Sequence, residues 1–256
     1  MSEAILFDVQ GSVALITINR PEQRNAINAE VRRGLFEAWD RVERDGSISV
    51  AILTGAGDRA FCAGMDLKEA AELSLGDSVL APDYLPVLGQ NVTVTKPVIA
   101  AVNGTAIAGG WLFSQMCDLC IAADHVLFGI AEAKMGRGMA WAAPLVHMIP
   151  QHILMELLLT GSPITARRAQ EIGFVNHVVP RDQLIPKAME LAERISANAP
   201  LTVRAARELV YLSTEMGRSA ALRAATHLFV PVYRSEDALE GPLAFKEKRK
   251  PKWKGR

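Results

Sequence analysis

Apolar positions along the first two thirds of the chain fall into short runs separated by stretches of helical spacing. Along the last third, helical spacing stands alone. Residues 13–19 (VALITIN) alternate and predict a half-buried strand, which Pro21 ends. Val31, Leu35, Ala38, Trp39 and Val42 then share one helical face, with Asn28 placed to cap a helix running to about Arg44. Residues 48–54 form an apolar strand leading into Gly55-Ala56-Gly57-Asp58, and residues 61–67 (FCAGMDL) a compact turn into a helix. Residues 74–91 mix Gly, Pro and Asp with apolar positions and predict a mobile loop containing a short helix.

The next thirty residues, 103–132, carry the densest signal. An apolar run over 97–102 leads to Asn103-Gly104, and Gly109-Gly110 opens a helical segment over 111–116. Two buried-strand runs follow, 119–123 and 126–130, and the second delivers one carboxylate, Glu132. Backbone N–H groups at a helix start lack intrahelical partners and sit at the positive end of the helix dipole. Donors for a developing oxyanion, followed by one acid/base, are parts of a catalytic site. Downstream, residues 135–139 read as a loop, and 140–149 and 153–160 as helices. Thr165 caps a helix over 166–172 that Gly173 closes, and 174–179 is a last strand. Beyond Pro180 the pattern is all helix: 183–197, 201–215, 218–233 and 236–249. Strand–helix alternation followed by helices predicts an α/β body with a helical C-terminal part.

Composition narrows the class. The chain has 256 residues, 50% hydrophobic, enough for a substantial core. Formal net charge is zero, so nothing global points to nucleic acid. No apolar run reaches the length of a membrane span, and the first residues, MSEAILFDV, lack the features of a signal peptide. Three cysteines, Cys62, Cys117 and Cys120, fit reduced thiols in a cytoplasmic protein. Cys117-x-x-Cys120 lies in an apolar run with no second pair to complete a metal set, so packing is the expected role and no metal is expected. The tail, residues 246–256, holds seven Lys/Arg against one Glu and reads as a solvated end or a contact to phosphates.

Four motifs then coincide in order: Asn19-Arg20-Pro21 with Asn25-Ala26-Ile27-Asn28; residues 61–67; residues 103–110 with Cys117-Asp118; and Ser235-Glu236-Asp237 through Glu240-Gly241 to residues 245–251 (FKEKRKP). Together they resemble the enoyl-CoA hydratase/isomerase (crotonase) superfamily over nearly the whole chain. The resemblance implies an α/β fold: a crotonase-like spiral of ββα units with a helical C-terminal trimerisation region. Residues 1–197 would be the α/β core with the CoA site, and 198–256 the oligomerisation region with its basic tail. It further implies an acyl-CoA thioester substrate, no cofactor beyond the coenzyme A of that substrate, and a homotrimer or dimer of trimers. By motif position the thioester oxygen would be bound by the main-chain N–H groups of Met65 and Gly109. Arg24, Ala26 and Lys68 would meet the substrate's CoA arm, with Phe229 and Lys248 reaching it from the C-terminal region, often that of a neighbouring subunit; Ala63 and Asp66 would also bind substrate. Lys68 and Lys248 read equally well as surface lysines. Glu132 would be the acid/base.

Two departures from the family pattern set the expected chemistry. Hydratases of this family place two glutamates around the attacking water; the second is matched by Glu132, but the first position holds Leu112, and 106–116 contain no carboxylate. Residues 139–143 (MAWAA) are bulkier than the family's Gly-rich loop. Trp111, Leu112, Met139 and Trp141 would make a drier acyl pocket, unless the tryptophans are ordinary core. Double-bond migration with one base is therefore expected ahead of hydration or dehydration, with Glu69 or Asp83 as possible substitute carboxylates. Retro-aldol or decarboxylating chemistry, and a non-catalytic acyl-CoA- or RNA-binding role, remain open alternatives.

Overall fold

The computed structural model describes residues 3–72, 81 and 83–256. A hairpin opens the chain: β1 (Ile5–Gln10) pairs antiparallel with β2 (Val13–Ile18). Helix α1 (Ala29–Arg44) follows, started by Asn28, whose side-chain oxygen accepts the Val31 N–H at 3.0 Å. Its expected apolar face, Val31, Leu35, Ala38, Trp39 and Val42, is fully buried. The chain then runs three times through strand–strand–helix. The first turn is β3 (Val50–Gly55), β4 (Ala60–Cys62) and α2 (Leu67–Glu72). The second is β5 (Val98–Val102), β6 (Thr105–Ile107) and α3 (Gly109–Gln115). The third is β7 (Leu119–Ala123), β8 (Leu127–Gly129) and α4 (Glu132–Met135).

Equivalent strands of successive turns stack in parallel, so the three turns coil into a spiral. The large sheet runs β1-β2-β3-β5-β7-β10 and the small one β4-β6-β8-β9, with β9 at Ile164–Thr165 and β10 at His177–Val179. Central strands of a parallel sheet are covered on both faces; all six residues of β3 are buried accordingly. Ala51 and Leu53 pack into the main core, whereas Val50 and Ile52 face the other way, onto Leu184, Ala188 and Ala192. Between β8 and the last strand come a 3-10 helix (Ala140–His147), α5 (Gln151–Thr160) and α6 (Ala166–Glu171). The chain ends in α7 (Leu184–Ser196), α8 (Pro200–Glu215), α9 (Arg218–Tyr233) and α10 (Glu236–Lys246).

Several expectations need correcting. The helix expected over 140–149 is instead a 3-10 segment, Ala140–His147, containing Pro144, whose ring nitrogen cannot supply a helix donor. The short strands β4, β6 and β9 stand where turns or no element were expected. The expected loop at 74–91 lies partly outside the described residues. The basic tail is not loose: Lys254 and Gly255 donate N–H to Asp237 at 2.7 and 2.9 Å, Lys252 N–H donates to Glu240 at 2.6 Å, and Trp253 Nε1 donates to Ala197 O at 2.8 Å. Helix α8 is tied to the body by Asp118, which accepts Arg207 Nε at 2.8 Å and the Tyr211 hydroxyl at 2.7 Å.

Candidate active site

The second turn of the spiral brings two glycine segments together. Gly64 has φ +86°, a left-handed conformation open to glycine at little cost. A methyl group at Gly64 would lie 3.0 Å from Ala108 Cβ and 3.4 Å from Gly109 N, and one at Gly110 would lie 2.0 Å from Cys62 O. These approaches set Met65 beside the start of α3. Gly109 is the first residue of that helix, and among the described residues neither its N–H nor that of Met65 donates a hydrogen bond. Ala108 itself holds φ 54° and ψ −114°, strained for a residue with a Cβ. Its N–H donates to Gly129 O at 2.9 Å, which anchors that turn to β8.

Two asparagines brace the same corner, a role that sequence reading assigned to neither. Asn25, fully buried, donates to Ala56 O and Ala60 O at 2.9 and 2.8 Å and accepts Arg20 N–H at 2.9 Å. Asn103 accepts Gly55 N–H at 3.0 Å and donates to Gly57 O at 3.0 Å. Their signal was the Asn-rich motifs themselves. The side-chain amide of Asn offers a donor and an acceptor together, which suits it to satisfying loop backbone in a buried corner.

Pairing of β6 with β8 places Ile107 opposite Gly129, so Gly109 lies two residues beyond one partner and Glu132 three beyond the other. Glu132 is 7% exposed. Its Oε1 accepts the Trp141 indole N–H at 3.0 Å; its Oε2 is buried and has no hydrogen-bond partner among the described residues. Burial pushes the carboxyl above its usual pKa, and its own N–H and the indole only partly counter that. Leu112 is 2% exposed, on α3. Trp141 is half-buried and packs on the core beside Met139. Trp111 is not part of this wall: it is fully buried, with ring centroids 5.7 Å from Phe128 and 5.0 Å from Phe174.

A sequence profile described as enoyl-CoA hydratase/isomerase matches residues 8–256. The chain belongs to the enoyl-CoA hydratase/isomerase family. It is 44% identical over 260 residues to enoyl-CoA hydratase EchA19 of Mycobacterium tuberculosis, covering 98% of this chain and 96% of that protein. It is 39% identical to the carnitinyl-CoA dehydratase of Proteus mirabilis, over the full length of both. Its fold matches the crystal structure of an enoyl-CoA hydratase from Bacillus anthracis with a TM-score of 0.90 at 34% identity, covering 99% of this chain and 100% of that one. The crotonase-like spiral with a helical C-terminal region is therefore its fold, and the protein is an enzyme of the hydratase/isomerase family.

The remaining positions that resemble this family's site fall into two groups. Arg24 and Lys68 are exposed and Ala26 and Ala63 half-buried on the glycine-built side, where Ala63 N–H donates to Arg24 O at 3.1 Å. Asp66 is in that group, but its carboxylate is engaged: it accepts Arg20 Nη1 at 2.9 Å and caps α2 through the Lys68 N–H at 3.2 Å. Burial works to raise its pKa, and the hydrogen bond and charge of Arg20 with the α2 N–H groups outweigh that and lower it. Phe229 and Lys248 are not in this group. Phe229 is half-buried on α9, which packs on α8 and α10, and Lys248 is exposed beyond α10. The substitute carboxylate Glu69 is also committed elsewhere: it accepts Arg32 Nη2 and Ala29 N–H, each at 2.8 Å. Asp83 is exposed in a turn. All three cysteines are buried, and burial pushes the Cys62 thiol up to about 12. No helix among the described residues is long and apolar enough to cross a membrane.

Proposed function

We propose that this enzyme stabilises the enolate of an acyl-CoA thioester with the N–H groups of Met65 and Gly109, and moves one proton with Glu132. The observation that carries this reading is a buried carboxyl with one free oxygen, one strand pair away from two N–H groups without acceptors. In double-bond migration the Glu132 carboxylate removes the α-proton of a 3-enoyl-CoA. The electron pair delocalises onto the thioester oxygen, where two preorganised donors stabilise it. The neutral carboxyl then returns the proton to the γ-carbon, and the double bond lies between the α- and β-carbons. Leu112 in place of a second carboxylate leaves water without an anchor and shields the dienolate from it.

Hydration or dehydration is the second reading, favoured by the names of the M. tuberculosis and P. mirabilis relatives. It uses the same enolate and the same glutamate. The CoA arm would lie along Arg24, Ala26, Ala63 and Lys68. Phe229 and Lys248 would come from a neighbouring subunit of a trimer or dimer of trimers. The C-terminal helices support that assembly: no residue of α9 is buried within one chain, Leu222 is 60% exposed, and Leu209, Leu212 and Leu228 are only half-buried. The chemistry needs no separate cofactor, because coenzyme A arrives with the substrate.

The test compares initial rates on 3-hexenoyl-CoA and on crotonyl-CoA, for the native enzyme and for Leu112→Glu. Migration exceeding hydration in the native enzyme, with the balance moving toward hydration by about tenfold or more in the variant, is expected. Fast hydration without migration, unchanged by Leu112→Glu, contradicts the first reading and leaves the second.

A further inference from the structure

A chain of hydrogen bonds runs from the oxyanion helix to the acid/base. Gln115 closes α3, the helix whose first N–H is that of Gly109. Gln115 Nε2 donates to Trp141 O at 2.7 Å, and Trp141 Nε1 donates to Glu132 Oε1 at 3.0 Å. Gln115 is 6% exposed and Glu132 is 7% exposed, so water does not readily replace either bond. Trp141 stands in the 3-10 segment at 140–147, whose path depends on such anchors more than on a regular helix ladder.

We propose that Trp141 is a positioning residue that dedicates one oxygen of Glu132 to holding the carboxyl and the other, Oε2, to proton transfer. The inference rests on Glu132 being the acid/base. An indole N–H donates and cannot accept. When Glu132 is neutral the indole bond therefore favours its proton on Oε2, because the unprotonated oxygen is the better acceptor, and when it is ionised the oxygen without a partner, and hence the stronger base, is again Oε2. Fixing one oxygen removes rotation of the carboxylate as a variable during transfer. Gln115 extends the restraint to α3, so the oxyanion donor and the proton-transfer oxygen belong to one braced unit. The charged and titratable groups nearby do not compete. Lys134 on α4, Arg137 just beyond it, and His152 and Glu156 on α5, which packs against α4, are all exposed, and the carboxyl is shifted by burial, its own N–H and the indole.

The experiment follows exchange of the α-protons of butanoyl-CoA in D2O, from pH 5 to 9, for the native enzyme, Trp141→Phe and Glu132→Gln. Phenylalanine keeps an aromatic ring and removes the donor together with the indole's five-membered ring, so the pH limb, not kcat alone, carries the decision. The expected result is a loss of about tenfold in kcat, with KM within about twofold. The limb of the profile belonging to Glu132 should move to higher pH, because the charged form has lost a hydrogen bond. An unchanged kcat and limb overturn the proposal, as does a lowered kcat with an unmoved limb, which marks a merely structural role. Exchange that survives in Glu132→Gln defeats the functional reading instead, so the two failures are separable. Should Trp141→Phe not fold, the native protein labelled with 15N at tryptophan decides. The indole N–H signal of Trp141 should titrate together with the activity limb, and a signal insensitive to that limb overturns the proposal.

Discussion

Around Gly64, Gly109 and Gly110 the site is closely approaching main chain, so close at Gly110 that a methyl group would lie 2.0 Å from Cys62 O, whereas around Glu132 it is two side chains joined by one hydrogen bond. The first region is held by many weak constraints: strand pairing of β6 with β8, the buried amides of Asn25 and Asn103, and close approach of the glycines. Its proposed donors are main-chain N–H groups, so they need no particular side chain at Met65. The second region is held by a few strong ones. On the proposed reading its chemistry follows from which groups are present at positions 112, 132 and 141, and single substitutions there are expected to redirect the reaction. A scaffold of this kind can preserve enolate stabilisation while the proton chemistry changes.

The largest effect separating the two regions is expected at glycines. Gly110→Ala forces a methyl group against Cys62 O, where 2.0 Å is available, and neither backbone can yield cheaply. A loss of roughly 4 kcal/mol or failure to fold is expected. Gly138→Ala, beside the Glu132 region, meets nothing within 4 Å and should change stability by less than about 0.5 kcal/mol. Urea unfolding of both variants checks the contrast, and similar losses at the two positions would remove it.

A smaller effect of opposite sign is expected at Ala108. Its φ of 54° with ψ −114° strains a residue bearing a Cβ. Ala108→Gly should stabilise the protein by about 1 kcal/mol, after allowing for the greater freedom of glycine in the unfolded chain. A destabilised variant, measured the same way, would show that the alanine is relaxed here.

The smallest effect concerns ionisation of Glu132. Its folded pKa is raised by burial, so the stability it allows is fully present below the unfolded pKa and is lost as pH rises through the folded one. Glu132→Gln cannot ionise and escapes that loss. The variant's Tm relative to native should therefore be higher at pH 8 than at pH 4. Comparing the two pH values cancels the amide's own packing cost. A difference in Tm that does not vary with pH would place Glu132 in a wetter setting.

The same contrast explains what could be read in the sequence. Helix α1 and strands β3, β5 and β7 were legible because their apolar positions are long and periodic. Met65 and Gly109 were named by motif position, and among the described residues neither main-chain N–H has an acceptor. Strands β4, β6 and β9, of two or three residues, were not legible: no period can be read in so short a run, and they exist because the spiral lays them side by side. Glu132 was found by its motif, but its link to Trp141 was not. The two residues are nine apart across a loop and a 3-10 segment, and nothing local fixes that path. Trp111 and Trp141 looked alike in sequence; one completes an aromatic core and the other reaches the carboxylate.

The central claim, that Glu132 moves a proton against a thioester oxygen held by main-chain donors, is tested most directly by α-proton exchange at one pH in Glu132→Gln. Butanoyl-CoA offers no double bond to hydrate or move, so deuterium gained at the α-carbon reports enolisation alone. The native enzyme should exchange, and the variant should exchange more slowly by about a hundredfold to ten-thousandfold while binding coenzyme A within a few-fold of native. A variant that exchanges within about tenfold of native, with binding intact, would contradict the account, because the proton would then be moving through some other group.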